Sequence, residues 1–206
     1  MQKPYLKIIA GCNGSGKSTY SQTYESTLIP FDFDKKFLKQ YRKMSDSELR
    51  YEMAQRIISN EFESSIEGAF LKGHSFCYET NFDTNPIYWA EKAKNHGYAL
   101  EIIFFCLDSL DTAKSRVLDR TRRNGHFVDA ETVFYKWKEG YNNLNIHYNM
   151  FDRILLLDNT SSDGVPKNYC SLIKNKAGSF DIHNYNILPR VYKRRLPKVY
   201  RLVRPS

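Results

Sequence analysis

Gly11-Cys12-Asn13-Gly14-Ser15-Gly16-Lys17-Ser18 satisfies every fixed position of the pattern G-x-x-x-x-G-K-[ST], and it directly follows the strand-like run Tyr5-Leu6-Lys7-Ile8-Ile9-Ala10. A glycine-rich turn between a strand and a helix lets consecutive backbone N–H groups converge on an anion. The positive end of the helix dipole points at the same place. In such a loop Lys17 is expected to reach the β- and γ-phosphates of a nucleotide, and the Ser18 hydroxyl suits a Mg²⁺ ion that bridges them. Gly11, Asn13, Gly14, Ser15, Gly16, Lys17, Ser18 and Thr19 are therefore the candidate nucleotide-binding residues, with Ser18 also the candidate metal ligand. The loop does not say what happens to the nucleotide, because kinases, motor ATPases and switch GTPases share it.

Working outward, Lys17 to Glu25 is expected to be helical, and Thr27 to Phe33 to form a second strand, short because of Pro30, that delivers Asp32 and Asp34 at its end. A long helix is expected from Ser45 to Lys72, opened by the capping-box pattern Ser45-Asp46-Ser47-Glu48 and patterned by Leu49, Met53, Ile57 and Ile58. Ser75-Phe76-Cys77-Tyr78-Glu79 reads as a third strand, and Asn85-Pro86 as the start of a helix that closes near Gly97. The run from Ala99 to Leu107 is almost continuously apolar, as in a strand buried on both faces. Helical segments from Asp111 to Arg123 and from Asp129 to Leu144 flank a Gly125-His126 turn, and Asp152 to Leu157 is a fifth strand. Short apolar strands with helical crossovers imply a three-layer α/β fold around a mainly parallel sheet of about five strands, with ligands at the carboxyl ends.

At 206 residues the chain has the length of one well-buried α/β domain. The first residues carry no apolar leader and no run approaches a membrane span, so the reading is cytoplasmic, with no membrane partner. Cys77, Cys106 and Cys170 lie in or beside apolar strands and read as buried free thiols. Cys12, inside the phosphate loop, has as its alternative an oxidation-sensitive role. The formal net charge is +8, and the stretch after Asp181 holds seven basic residues, Arg190 through Arg204, and no acid. These bases alternate with tyrosines and prolines, a composition compatible with nucleic-acid contact, a solvated extension or an arm packed on the domain.

Phosphoryl transfer needs charge neutralisation, an aligned acceptor and, in many enzymes, a carboxylate to take the acceptor's proton. Asp34, with Asp32 as its near rival, is the candidate base; the alternative for an Asp there is a helix N-cap. Glu79, followed by Thr80 and Asn81, is expected to orient the acceptor or a metal-bound water. Arg116, Arg120 and Arg123 recur at helical spacing and form a candidate cationic lid. His126 either hydrogen-bonds a phosphate or caps its turn.

These residues together resemble the zeta-toxin family of P-loop kinases, from the first strand to about Thr160. The resemblance rests on Gly11 to Thr19, the Asp after the second strand, Glu79-Thr80, and Arg116-Val117 through Arg120 to Gly125-His126-Phe127-Val128. Asp158-Asn159-Thr160 is similar to the family's closing Asp-Asn-Ser. The resemblance implies a kinase that uses ATP and Mg²⁺ to phosphorylate a sugar hydroxyl of UDP-N-acetylglucosamine or a related nucleotide sugar, and a small helical antitoxin as partner. It implies that Lys17 holds phosphates, that Asp34 is the base, that Glu79 contacts the acceptor, and that Arg116 or Arg120 stabilises the transferred charge. Asp32, Thr80, Asn81, Arg123, His126 and Lys136 complete the candidate acceptor site. Where the family often has arginines after the Gly-His turn, this chain has Phe134-Tyr135-Lys136-Trp137, and the family's Gly-Gly-His becomes Asn124-Gly125-His126. Lysine lacks the bidentate fork of arginine, so acceptor choice or rate is expected to differ. On this reading residues 1–180 form the P-loop kinase domain and 181–206 a basic extension, whose use in binding RNA would make the protein a polynucleotide kinase instead. A third reading is a nucleotide-dependent regulatory module with little turnover.

Overall fold

In a computed structural model, which describes residues 3–122, 128–161 and 166–203, the chain folds around one six-stranded sheet in the order β2-β1-β3-β4-β5-β6. Strands β1 (Tyr5–Ala10), β2 (Phe76–Thr80), β3 (Ala99–Cys106) and β4 (Arg153–Asp158) are parallel to one another. Strands β5 (Lys167–Lys174) and β6 (Phe180–Asn184) continue the sheet antiparallel beyond β4. The connections carry α1 (Lys17–Tyr24), α2 (Phe33–Lys43), α3 (Arg50–Lys72), α4 (Tyr88–Asn95), α5 (Leu110–Arg122) and α6 (Ala130–His147), and α7 (Tyr192–Arg195) and α8 (Pro197–Val203) close the described chain.

Strand alternation distributes the apolar side chains to the two faces. Leu6, Ile8, Leu100, Ile102, Phe104, Ile154 and Leu156 enter the main core beneath α3, α4 and α6. Ile9, Ile103, Phe105 and Leu157 point to the opposite face, where Tyr20 and Tyr24 of α1 cover them. Four of the anticipated strands are thus present, and the run of apolar residues in β3 is buried on both sides as its composition predicts.

The anticipated strand over Thr27 to Phe33 does not form. Phe31 alone makes a parallel bridge to Tyr78, and the chain then turns directly into α2. Pro30 cannot donate to a ladder, and Asp32 instead caps the helix, its side chain accepting from the Lys35 N–H at 2.9 Å. The N-cap thus falls on Asp32, and Asp34 sits in the first helical turn. The capping-box pattern at Ser45 to Glu48 is likewise unused, and α3 starts at Arg50, whose Nε donates to the Tyr41 carbonyl at 2.9 Å and whose guanidinium lies over the Tyr41 ring. Leu49, Met53 and Ile57 face solvent, because the stripe that meets the sheet is Ala54, Ile58, Ile66 and Phe70. The helix anticipated from Asn85 begins at Tyr88, after a left-handed residue at Asn85.

Beyond residue 160 the chain holds structure for which the sequence carries weak signals. The β5–β6 hairpin extends the sheet, and Leu188, Tyr192, Leu196, Val199 and Val203 are buried in the same core as β3 and β4. The described part of the basic tail is therefore built into the domain by its apolar residues, while Arg190, Lys193, Arg194, Lys198 and Arg201 remain exposed.

Candidate active site

The phosphate loop leaves β1 and enters α1 at the carboxyl edge of the parallel strands, where the ends of β2, β3 and β4 also converge. Gly16 caps α1 in a left-handed conformation (φ 91°), and a side chain there would run into the Asn159 amide. Gly14 is left-handed too, and α5 packs so closely on it that a Cβ would lie 2.7 Å from the Ala113 carbonyl. The glycines thus serve both backbone shape and the close approach of α5 and the β4 exit.

Lys17 curls over the loop, its Nζ donating to the carbonyls of Gly11 at 2.6 Å and Cys12 at 3.1 Å and to Asn81 Oδ1 at 3.3 Å. Burial pulls its pKa down, against the opposing pull of Glu79, Cys12, Asp34 and Asp32. A buried ammonium held only by neutral oxygens is a site for an anion. Ser18 Oγ donates to Glu79 Oε2 at 2.7 Å. Burial raises the Glu79 pKa and the Asp32 carboxylate adds to the effect, while the Ser18 hydroxyl works against it.

One cleft of about 1470 Å³ contains these groups. Asn13, Gly14, Gly16, Lys17, Ser18, Thr19, Arg116, Arg120 and Lys136 line it together with Asp32, Asp34, Glu79, Thr80 and Asn81. Gly11 and Ser15 are buried behind the loop rather than in the cleft wall. Arg116 already has partners, since its guanidinium donates to the carbonyls of Asn159 (2.6 Å), Thr160 (3.3 Å) and Ser161 (3.1 Å). Arg120 differs in having Nε and Nη2 buried with no hydrogen-bond partner among the described residues. Unsatisfied guanidinium donors in the wall of a cleft that also holds a phosphate loop fit an incoming phosphate. Thr80 is occupied structurally, its hydroxyl accepting from the Phe82 N–H at 3.0 Å. Arg123 and His126 lie outside the described residues. Among the described residues no group of three or more His, Cys, Asp or Glu side chains is placed to hold a metal ion.

The sequence reading missed two parts of the site. Asn159, at the end of β4, binds the Ser15 carbonyl at 2.8 Å and lines the cleft; the closing Asp158-Asn159-Thr160 motif was the available signal. The other part is a wall of Phe31, Phe33, Phe37, Tyr51, Phe62, Tyr78, Tyr88 and Trp89, to which Asp83, Glu63 and Arg42 add charge. These residues come from four separated segments, so no local pattern announces them. Cys12 is buried, and desolvation pushes its thiol up to about 11, so the thiol is the poor nucleophile that its three fellow cysteines also are.

A strand, phosphate loop and helix at the edge of a parallel sheet, opening on carboxylates and arginines, define the P-loop kinase fold class. The family model of the zeta toxins matches residues 1–162, and the chain belongs to that family. None of the curated proteins matches it. Among solved structures, AvrRxo1-ORF1 in complex with AvrRxo1-ORF2 is similar with a TM-score of 0.65 at 14% identity, over 94% of this chain and 64% of that one. This chain thus spans less than two thirds of that relative's length. A putative kinase from Chloroflexus aurantiacus J-10-fl gives a TM-score of 0.57 at 18% identity, over 80% of this chain and 92% of that one. The PezAT toxin–antitoxin system of Streptococcus pneumoniae gives 0.55 at 15% identity, over 81% of this chain and 71% of that one. At these identities the likeness is one of fold.

Proposed function

We propose that the protein transfers the γ-phosphoryl group of ATP to a hydroxyl of a small molecule, with UDP-N-acetylglucosamine or a related nucleotide sugar as the first acceptor to test. The observation that carries this reading is that one cleft brings together the phosphate loop, Asp34, Glu79 and Arg120, whose Nε and Nη2 have no partner among the described residues. AvrRxo1-ORF1 and ORF2 have also been solved with ATP, which supports ATP as the donor. Ser18 Oγ and the Glu79 carboxylate, with phosphate oxygens, suit Mg²⁺, which when bound supplies charge neutralisation.

On this reading Lys17 leaves the Gly11 and Cys12 carbonyls for the phosphates, and Arg120 meets the charge on the moving group. Asp34 accepts the proton of the acceptor hydroxyl as its oxygen bonds to phosphorus and the bond to the ADP oxygen breaks. Glu79 and Asn81 orient the acceptor end, and Arg123 and His126 are further candidate acceptor contacts by the family resemblance. Lys136, on the cleft wall, is the candidate cation for an acceptor that carries its own phosphates. A small helical antitoxin is the proposed protein partner, because PezAT is a toxin–antitoxin system and AvrRxo1-ORF1 is bound to ORF2. No described helix is long and apolar enough to cross a membrane, and a cytoplasmic location is proposed.

The RNA-kinase alternative rests on the exposed cations of the tail. The cleft wall built by α2, α3 and the β2 exit weighs against it, since Asp32, Asp34, Glu63, Glu79 and Asp83 would repel a phosphate backbone there. Transfer of label from γ-labelled ATP with Mg²⁺ to UDP-sugars, nucleosides and short RNAs, with Lys17→Ala as blank, tests these readings. Label on a nucleotide sugar, absent in the blank, supports the proposal. Label on RNA alone favours the polynucleotide kinase, and ATP binding without transfer favours a regulatory module.

A further inference from the structure

We infer that Arg195, in the tail, is a positioning residue that braces the phosphate site from behind. The inference rests on the reading of the phosphate loop as a nucleotide site and goes beyond it by assigning the tail a part in that site. Arg195 ends α7, and its guanidinium Nη1 donates to the Leu107 carbonyl, 88 residues away, at 2.8 Å, while Nη2 donates to the Asp108 carbonyl. The same planar group lies over the Trp137 ring at 4.4 Å, with the Tyr141 and Tyr192 rings at 5.6 and 5.5 Å.

Leu107 and Asp108 are the exit of β3 and form a junction on which the phosphate loop, α5 and α6 pack. Leu107 is fully buried in one apolar cluster with Cys12 of the phosphate loop, Ala113 and Val117 of α5, and Val133 of α6, and Trp137 packs on it. Its backbone N–H and carbonyl both bond the Tyr141 hydroxyl, so its carbonyl takes Arg195 and Tyr141 together. The Asp108 N–H donates to Thr160 Oγ1, in the segment whose carbonyls hold Arg116. The elements that carry Lys17, Arg116, Arg120 and Lys136 therefore meet this junction. The phosphate loop carries Lys17, α5 carries Arg116 and Arg120, and α6 carries Lys136 beside Trp137. Arg195 itself does not line the cleft, so it acts through these neighbours.

Two donors in a fixed fork and a flat face are needed at once, for two adjacent carbonyls and an indole. Lysine provides one point charge and no flat face, so Arg195→Lys removes the brace while retaining charge and most of the stem. A phosphate site loosened in this way loses affinity and rate together, because its donors must sit within a fraction of an ångström.

The test uses the full chain with Arg195→Lys and Arg195→Ala. Expected are a rise of about tenfold in the Kd of a fluorescent ATP analogue and in KM for ATP, measured well below each variant's own melting temperature. Faster amide exchange over Cys12 to Ser18 in the nucleotide-free protein is expected with it. Glu25→Gln, at the far end of α1 from the phosphate loop and without contact to Leu107, Asp108 or Arg195, serves as a control that lowers stability without reaching the junction. It is expected to leave Kd and loop exchange unchanged. Kd, KM and loop exchange in Arg195→Lys indistinguishable from the parent would overturn the inference, as would equal changes in Glu25→Gln. Should Arg195→Ala fail to fold, the lysine variant decides alone. Failure of the parent to bind any ATP analogue would sink the nucleotide reading instead, and the loop exchange would still report on the brace.

Discussion

Lys17 spends its charge on two backbone carbonyls and one side-chain amide, so what it gives up on meeting phosphates is small and what it gains is large. Lys17→Ala is expected to lower phosphoryl transfer by at least about 100-fold, measured with γ-labelled ATP. Gly16→Ala tests the loop's shape rather than its charge. A methyl there meets both a left-handed φ of 91° and the Asn159 amide that holds the Ser15 carbonyl. The expected result is a loss of ATP binding in calorimetry, with strain of about 1–3 kcal/mol stored in the loop. Asp34→Asn separates chemistry from binding: kcat is expected to fall about 10²- to 10⁴-fold with the Kd for ATP little changed, whereas a regulatory module would keep its function. Asp32 and Asp34 show how far reading single residues goes. Both types were right for a cleft carboxylate and for an N-cap, and only the bond from the Lys35 N–H shows that Asp32 is the cap.

The C-terminal end of α1 is anchored by a single carboxylate that has more partners than any other acid in the described chain. Glu25 accepts from the N–H groups of Thr27 and Leu28 at 2.8 and 2.9 Å, and also from the Thr27 hydroxyl and Lys7, while Lys7 further pairs with Glu101 at 3.3 Å. Although its burial opposes ionisation, these bonds hold the Glu25 pKa down to about 2. Its folded value lies below its unfolded one, so its stabilisation is complete above the ordinary carboxylate pKa and is lost as the pH falls through about 2. Thermal unfolding followed from pH 6 to pH 2 is expected to show a falling midpoint in the parent and a flatter profile in Glu25→Gln. Glu25→Ala, which leaves Lys7 half-compensated in a closed site, is expected to cost about 3 kcal/mol in urea titration. At this scale the periodic elements were legible, and the irregular connection was not. Thr27 to Phe33 has the apolar content of a strand, but whether it pairs depends on Cys77 and Glu79, which supply its few ladder bonds.

For the molecule as a whole the tail is the decisive segment. Deleting residues 182–206 would expose the partners of Tyr192, Leu196, Val199 and Val203 and remove Arg195, so the truncated chain is expected to melt at a lower temperature and to bind ATP poorly. Truncation therefore does not isolate an RNA-binding role. Replacing the exposed Arg190, Lys193, Arg194, Lys198 and Arg201 with Gln removes the charge and keeps the packing. On the small-molecule reading these replacements leave kcat/KM within about twofold, and filter binding to short RNA reports any separate affinity. The sequence alone determined the phosphate loop, the parallel β1, β2, β3 and β4 with most of their helices, and the candidate carboxylates and arginines. Those features rest on local patterns: fixed glycine spacing, alternation, and charge at strand ends. The tertiary structure alone decided the β5–β6 hairpin, the aromatic wall, the capping of α2 by Asp32, and the seating of a basic tail on the core. Each of these depends on contacts between segments far apart in the chain, and such contacts leave no periodic trace in either partner.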